Sequence, residues 1–112
     1  MGKNRDRLSI VASILDAANS GATKTRIMFK ANLSFKLLEK YLDAVVGARL
    51  LQVEGSTYSV TESGKEFVRR YNDYHERYVE AEKFLEGLSS EREKLARLCV
   101  NPKLMLGVND SI

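Results

Sequence analysis

The chain has 112 residues, with 18 lysines and arginines against 15 aspartates and glutamates, one histidine, one cysteine and no tryptophan. At this length we expect one domain with at most an extension, and a single cysteine excludes an internal disulfide. One histidine and one cysteine are too few for a Cys/His zinc cluster and for most catalytic mechanisms. We therefore expect no enzyme and no cofactor. No apolar run approaches the roughly 18 residues of a membrane span, and the charged first residues are not a signal peptide. We therefore expect no membrane partner and a place in the reducing cytoplasm.

The net charge of +3 is distributed unevenly along the chain. Residues 1–53 hold nine basic and four acidic residues, whereas residues 54–112 hold nine basic and eleven acidic ones. A basic half joined to a nearly balanced half indicates that the first half meets a polyanion such as nucleic acid. An ordinary solvated surface can reach the same excess, so charge alone leaves the partner open.

The first element is an amphipathic helix over about residues 6–18. Its apolar residues recur at helical spacing, and either Asp6 or Asn4 can cap its start. The run Asn19-Ser20-Gly21 ends it, because Asn and Gly tolerate the left-handed backbone at which helices stop.

Two further helices follow with a tight turn between them. Thr23 can cap a short helix over Lys24–Ala31, and residues 32–34 form the turn. Ser34 can cap a longer helix over Phe35–Gly47. A short helix, a three-residue turn and a longer helix are typical of a helix-turn-helix unit.

A β-hairpin is predicted next. Residues 50–54 and 57–60 alternate and are rich in β-branched side chains, and Gly55-Ser56 makes a two-residue loop. Three helices followed by a hairpin is the order of a winged helix, so we assign residues 1–60 to a winged-helix domain. The loop carries no Arg or Lys, and we expect little from this wing beyond a backbone contact.

A long helix capped by Thr61 carries a heptad seam. From Phe67 the apolar and aromatic positions follow one another in steps of four and three, which favours a coiled-coil partner over a globular core. Stacking of the tyrosines on single-stranded bases is the less favoured interpretation. We therefore predict a dimer interface formed by Phe67, Tyr71, Tyr74, Tyr78, Ala81, Leu85 and Leu88.

The end of this segment is open to two interpretations. Gly87 can end the helix, with Ser90 and Glu93 forming a capping box for a shorter helix over about 91–99. Alternatively, one helix continues and bends near 87–90. In both cases residues 61–100 form the dimerisation region and residues 101–112 a tail.

Two sequence motifs closely resemble a known family. They are the runs Thr25–Lys36 and Tyr58–Phe67, with Tyr41-Leu42 and Leu50-Leu51 behind the first. They are similar to small archaeal winged-helix DNA-binding proteins, which include transcriptional regulators and chromatin-associated proteins that dimerise through a long C-terminal helix as an antiparallel coiled coil. The resemblance covers about residues 6–85, although the family usually has a polar residue where Leu37 stands. It implies a mainly helical α+β fold, binding to double-stranded DNA and a two-fold homodimer.

The candidate DNA-binding residues lie on the second and third helices. Basic side chains can line a duplex backbone, although Glu39 and Asp43 on the third helix would repel phosphates. Ser34 is a cap that can also touch a phosphate. Phe35 is either a core residue or a contact to a thymine methyl group, and partial burial is favoured. The predicted set is Lys24, Arg26, Lys30, Ser34, Phe35, Lys36 and Lys40.

The sequence therefore predicts a homodimer that binds double-stranded DNA as a transcriptional regulator or a chromatin-architectural protein of the nucleoid. The alternative is a protein-interaction module that uses apolar surface at Leu37 and Phe35, and RNA binding is a third interpretation.

Overall fold

The structure is a computed structural model that describes residues 5–99. Four helices and a β-hairpin follow one another in the predicted order. They are α1 (Arg7–Ala17), α2 (Lys24–Ala31), α3 (Phe35–Gly47), β1 (Leu51–Glu54), β2 (Thr57–Val60) and α4 (Glu62–Leu98). The chain divides into two compact units, the first ending at Tyr74 and the second beginning at His75, and α4 contributes residues to both.

Side-chain caps fix where the first three helices begin. The Asp6 carboxylate accepts a hydrogen bond of 2.8 Å from the backbone N–H of Ser9 at the start of α1. Thr23 caps α2 and Ser34 caps α3 in the same way, each accepting from the N–H three residues on. These oxygens satisfy N–H groups that the helix itself leaves without a partner. Asp6 is thus the cap of α1, and α2 and α3 have the bounds that the sequence predicts.

Left-handed residues end α2 and α3. Asn32 has φ of 56° after α2, and Arg49 has φ of 65° after α3. At each end the following residue donates its N–H to the carbonyl five residues back: Leu33 to Met28 and Leu50 to Val45. This hydrogen bond satisfies a carbonyl in the last turn of each helix, and the left-handed residue turns the chain sharply.

The hairpin is joined by a third segment that the sequence does not predict. β1 and β2 are antiparallel, with Leu51 opposite Val60. Ala22, in the connection between α1 and α2, pairs with Tyr58 of β2 through backbone hydrogen bonds of 2.9 and 2.8 Å. A single bridging residue has no periodicity of its own, which is why the pattern of the sequence does not reveal it.

One hydrophobic core holds the first unit together. Its fully buried side chains come from α1, α2, α3 and β1, and the largest are Ile14, Leu15, Ile27, Leu38, Val45 and Leu51. Leu37, Tyr41, Phe67 and Val68 pack against this core and are half-buried. Burial of such side chains is worth roughly 1.5–3 kcal/mol each and is the main source of stability for this unit.

The start of α4 is fastened to the end of α3. The Thr61 hydroxyl donates to the Arg49 carbonyl at 2.7 Å and accepts from the Gly64 N–H at 3.0 Å. Gly64 lies so close to Leu50 that a β-carbon there would be 2.2 Å from the Leu50 carbonyl oxygen. The stretch Thr61–Gly64 therefore needs a hydroxyl at one end and no side chain at the other.

The prediction that Gly87 ends the helix is wrong. α4 continues through Gly87 to Leu98, so the separate helix over 91–99 does not form and one helix continues. The bend near 87–90 stays a prediction. A glycine inside a helix costs only about 1 kcal/mol relative to alanine, which the surrounding helix-forming residues outweigh. The predicted tail, residues 101–112, lies outside the described residues, and the division at 60/61 stays a prediction.

Candidate nucleic-acid interface

Four basic side chains project from the helix-turn-helix. Arg26 and Lys30 lie one turn apart on α2, and Lys36 and Lys40 lie one turn apart on α3. All four are exposed, and none forms an ion pair with another residue in the range 5–99. Because their charges are not neutralised within that range, they are available to an anionic partner.

The fifth predicted cation, Lys24, is engaged differently. Its Nζ lies 2.5 Å from Oε2 of Glu39, so an ion pair joins α2 to α3. The hydrogen bond to Glu39 raises the pKa of Lys24. The pair neutralises Glu39, which from the sequence was expected to repel phosphates.

The ring of Phe35 stands beside this ion pair. Lys24 Nζ lies 5.6 Å from the centre of the ring, within the range of a cation–π contact. The Phe35 side chain is nevertheless 58% exposed, more open than the partial burial favoured from the sequence. Phe35 is therefore a surface residue, not a core residue.

A second exposed phenylalanine was not among the predicted site residues. Phe29 on α2 is 73% exposed. Its spacing could have revealed it, because Ile27 and Ala31 define the buried face of α2 and Phe29 falls between them on the other side.

Ser34 and Leu37 take structural positions at the start of α3. The Ser34 hydroxyl accepts from the Leu37 N–H at 3.2 Å, which is the geometry of a helix cap. Ser34 remains exposed, and its contact to a phosphate stays a prediction. Leu37 is half-buried against the core, so an apolar residue fits at this position.

The wing is short and carries no positive charge in residues 51–60. Its side-chain hydrogen bond joins Gln52 Nε2 to Ser59 Oγ across the two strands at 3.4 Å. Glu54 at the end of β1 adds a negative charge. The charges of the hairpin therefore agree with the small role expected for it.

Arg5 reaches the helix-turn-helix from the start of the chain. Its guanidinium donates to the carbonyl of Asn32 and to the hydroxyl of Ser13, both at 3.1 Å. The first of these contacts joins residues 27 positions apart, and sequence spacing gives no sign of it. Arg5 thereby ties the segment before α1 to the turn between α2 and α3.

The first residues of the predicted dimer seam lie against their own first unit. Phe67 and Tyr71 are half-buried and line an open cleft of about 420 Å³ with Leu8 and Leu50. Their rings are stacked at 6.4 Å. Burial raises the pKa of Tyr71, and the negative charge of Asp6 adds to the effect.

The remaining seam residues are exposed. Tyr74 is the last residue of the first unit and lies beside Tyr71, with 6.1 Å between the two ring centres. The other four lie in the second unit, where Leu85 is 63% exposed. They are Tyr78, Ala81, Leu85 and Leu88. Their role in a dimer stays a prediction.

Two general features of the described chain bear on its partners. Within residues 5–99, no helix combines the length and apolar character needed to cross a membrane. Over the same range, no three histidine, cysteine, aspartate or glutamate side chains cluster as metal ligands.

Comparison with known proteins points to one fold family. A sequence model described as winged helix-turn-helix matches residues 4–79. The crystal structure of Sso10a-2, a DNA-binding protein from Sulfolobus solfataricus, is similar to this chain with a TM-score of 0.59 and 26% sequence identity. The match covers 87% of this chain and 99% of that one. No curated protein matches. The resemblance to archaeal winged-helix DNA-binding proteins is thus confirmed, as is the fold.

Proposed function

The chain belongs to the winged helix-turn-helix family, and from that premise we propose that it binds double-stranded DNA as a homodimer. The observation that carries the proposal is the set of four exposed cations on α2 and α3 that have no ion-pair partner in residues 5–99. The similarity to the structure of Sso10a-2, a DNA-binding protein, supports the same function.

In the proposed complex α3 enters the major groove and α2 lies across the phosphate backbone. This is the docking mode of helix-turn-helix units, in which the second helix reads bases and the first one positions it. Lys36 and Lys40 on one face of α3 would then reach phosphates on both sides of the groove. Arg26 and Lys30 on α2 would meet the backbone next to it.

Binding of this kind depends steeply on salt. Each phosphate that is neutralised releases condensed counterions and contributes a slope of about −0.9 to log K against log salt. With the four exposed cations of each chain, a dimer would make about eight phosphate contacts, so we expect a slope of about −7. A protein-interaction module, which the exposed rings of Phe29 and Phe35 would also suit, shows almost no such slope on DNA.

Dimerisation is proposed through α4. In the second unit, residues 75–98 leave large apolar side chains in contact with solvent, namely Tyr78, Phe84, Leu85, Leu88, Leu95 and Leu98. Several of these recur with the heptad spacing that buries side chains between paired helices. A second copy of α4 is the partner that matches this spacing.

The four exposed cations of α2 and α3 favour contacts to phosphates over contacts to many bases. Such a protein acts as a transcriptional regulator if a few contacts select its sites, and as a chromatin-architectural protein if they do not. Either role places it with the nucleoid in the cytoplasm. A non-enzymatic role agrees with the family.

A charge-reversal experiment tests the DNA interface. In Lys36→Glu/Lys40→Glu we expect duplex binding to be lost at about 150 mM salt and the salt slope at lower salt to fall by about half, because four of about eight contacts become repulsive. Fluorescence anisotropy of a labelled duplex measures both quantities.

The matched control is Lys83→Glu/Lys94→Glu. It changes the net charge equally, at two exposed positions of α4 that lie off the predicted seam. We expect this variant to keep most of its affinity and nearly the full slope. Equal losses in the two variants would show that net charge, and not the helix-turn-helix surface, attracts DNA.

A further inference from the structure

We propose that Phe35 reads thymine methyl groups in the major groove, so that the protein prefers duplexes that carry 5-methyl groups there. The inference rests on the proposed DNA binding and names what the recognition helix selects. The Phe35 side chain is large, apolar and 58% exposed.

Phe35 lies at the N-terminal end of α3. It is the first residue of α3, and the cap at Ser34 fixes that helix start. In helix-turn-helix complexes the N-terminal residues of the second helix are those that reach base edges. Phe35 therefore stands where a side chain meets bases, with Lys36 beside it.

A lysine and its ion-pair partner stand beside the Phe35 ring. Lys24 Nζ lies 5.6 Å from the ring centre and is itself held by Glu39. A ring that is already restrained on one side loses little conformational freedom when its open side is covered. A glutamate carboxylate accepts hydrogen bonds from cytosine N4 in the major groove, but that of Glu39 is already engaged by Lys24.

The major groove of DNA offers one apolar group to such a ring. Guanine, cytosine and adenine present hydrogen-bonding groups in the major groove, whereas thymine adds an apolar 5-methyl group. A phenylalanine makes no hydrogen bonds, so the thymine methyl is the complementary group on unmodified DNA. The four exposed cations supply phosphate contacts that hold the ring in the groove.

The experiment compares duplexes that differ only in 5-methyl groups. The probes are a 40-base-pair duplex of mixed sequence, the same duplex with every thymine replaced by uracil, and the uracil duplex with every cytosine replaced by 5-methylcytosine. Uracil pairs as thymine does but lacks the methyl group, and 5-methylcytosine restores methyl groups to the groove. Affinities are measured by anisotropy at about 50 mM salt, where phosphate contacts keep weakened variants bound.

We expect the wild-type protein to bind the uracil duplex more weakly. Burial of one methyl-sized group corresponds to about a fourfold change in affinity. A dimer has two winged-helix domains, which we call its heads, so its affinity should fall roughly tenfold or more. The 5-methylcytosine probe should recover part of this loss. In Phe35→Ala the thymine and uracil duplexes should bind equally, whereas Phe35→Leu, which keeps an apolar side chain, should retain some preference.

The matched control is Phe29→Ala. It removes an exposed phenylalanine from α2 and should leave the thymine-to-uracil ratio unchanged. Equal wild-type binding to the first two duplexes overturns the inference, as does a preference that survives in Phe35→Ala, which would reflect DNA shape. If no duplex binds to the wild-type protein, the proposed function itself fails and a protein partner takes its place.

Discussion

A single arginine in a left-handed conformation closes α3. Arg49 has φ of 65°. Its backbone N–H donates a hydrogen bond to the Val46 carbonyl, and its own carbonyl accepts one from the Thr61 hydroxyl. A side chain with a β-carbon costs about 1–2 kcal/mol in this conformation, and glycine removes that cost. The sequence offered no signal for this position, because the usual glycine is absent.

We expect Arg49→Gly to stabilise the protein. The gain should be about 0.5–1 kcal/mol in the free energy of unfolding, because the relief of strain exceeds the additional flexibility of glycine in the unfolded chain. Urea denaturation followed by circular dichroism measures it. Arg49→Ala keeps the β-carbon and should gain nothing. Equal stabilisation by both changes would mean that removal of the arginine charge, and not the backbone, is responsible.

Contacts between side chains that are distant in the sequence were the least predictable feature of individual residues. The sequence identified Lys24 and Glu39 as members of a charged surface, but their contact joins residues 15 positions apart on different helices. The same holds for Arg5 and Asn32. Such pairs follow from how α1, α2 and α3 pack, and packing depends on the whole core.

The elements themselves were largely predictable, because their signals are local. Caps at Thr23 and Ser34 and the apolar spacing between them determine α2 and α3 within a few residues. The error at Gly87 has the same origin. A glycine followed by a capping box is a local stop signal, whereas continuation of α4 depends on the helix-forming residues on both sides.

Two glycines in α4 should respond oppositely to the same substitution. At Gly64 a β-carbon would lie 2.2 Å from the Leu50 carbonyl oxygen and 2.6 Å from Val60 Cγ1, so the start of α4 must move away from Leu50 and β2. We expect Gly64→Ala to lower the free energy of unfolding by about 2–3 kcal/mol, at the upper end of the cost of overpacking.

Gly87→Ala is the matched control in the same helix. A β-carbon at position 87 meets no atom of the described chain within 4 Å, so alanine adds only its better helix propensity. We expect a gain of about 0.5–1 kcal/mol, again measured by urea denaturation. Destabilisation at both positions would indicate that α4 packs tightly along its whole length.

The second unit buries few of its own apolar side chains. Of residues 75–98, only Val79 and Ala96 are even half-buried, although Leu85 and Leu88 recur with heptad spacing. A helix that exposes a continuous apolar seam is stabilised mainly when that seam is covered. The seam was predictable from spacing alone, whereas the packing of Phe67 and Tyr71 against their own first unit was not.

The proposed dimer should separate when a charge enters this seam. In Leu85→Glu, pairing would bury a carboxylate from each chain, so we expect a monomer in sedimentation at micromolar concentration where the wild-type protein is a dimer. Lys83→Glu lies two residues before Leu85, at an exposed position off the seam, and it should stay dimeric.

The same variant should also change DNA binding. Two linked heads bind one duplex with the second contact made at high effective concentration, and separate heads lose that advantage. With about four phosphate contacts in place of eight, the salt slope of Leu85→Glu should fall from about −7 to about −4. A wild-type protein that sediments as a monomer, or a slope that is unchanged in Leu85→Glu, would mean that one head alone accounts for the binding.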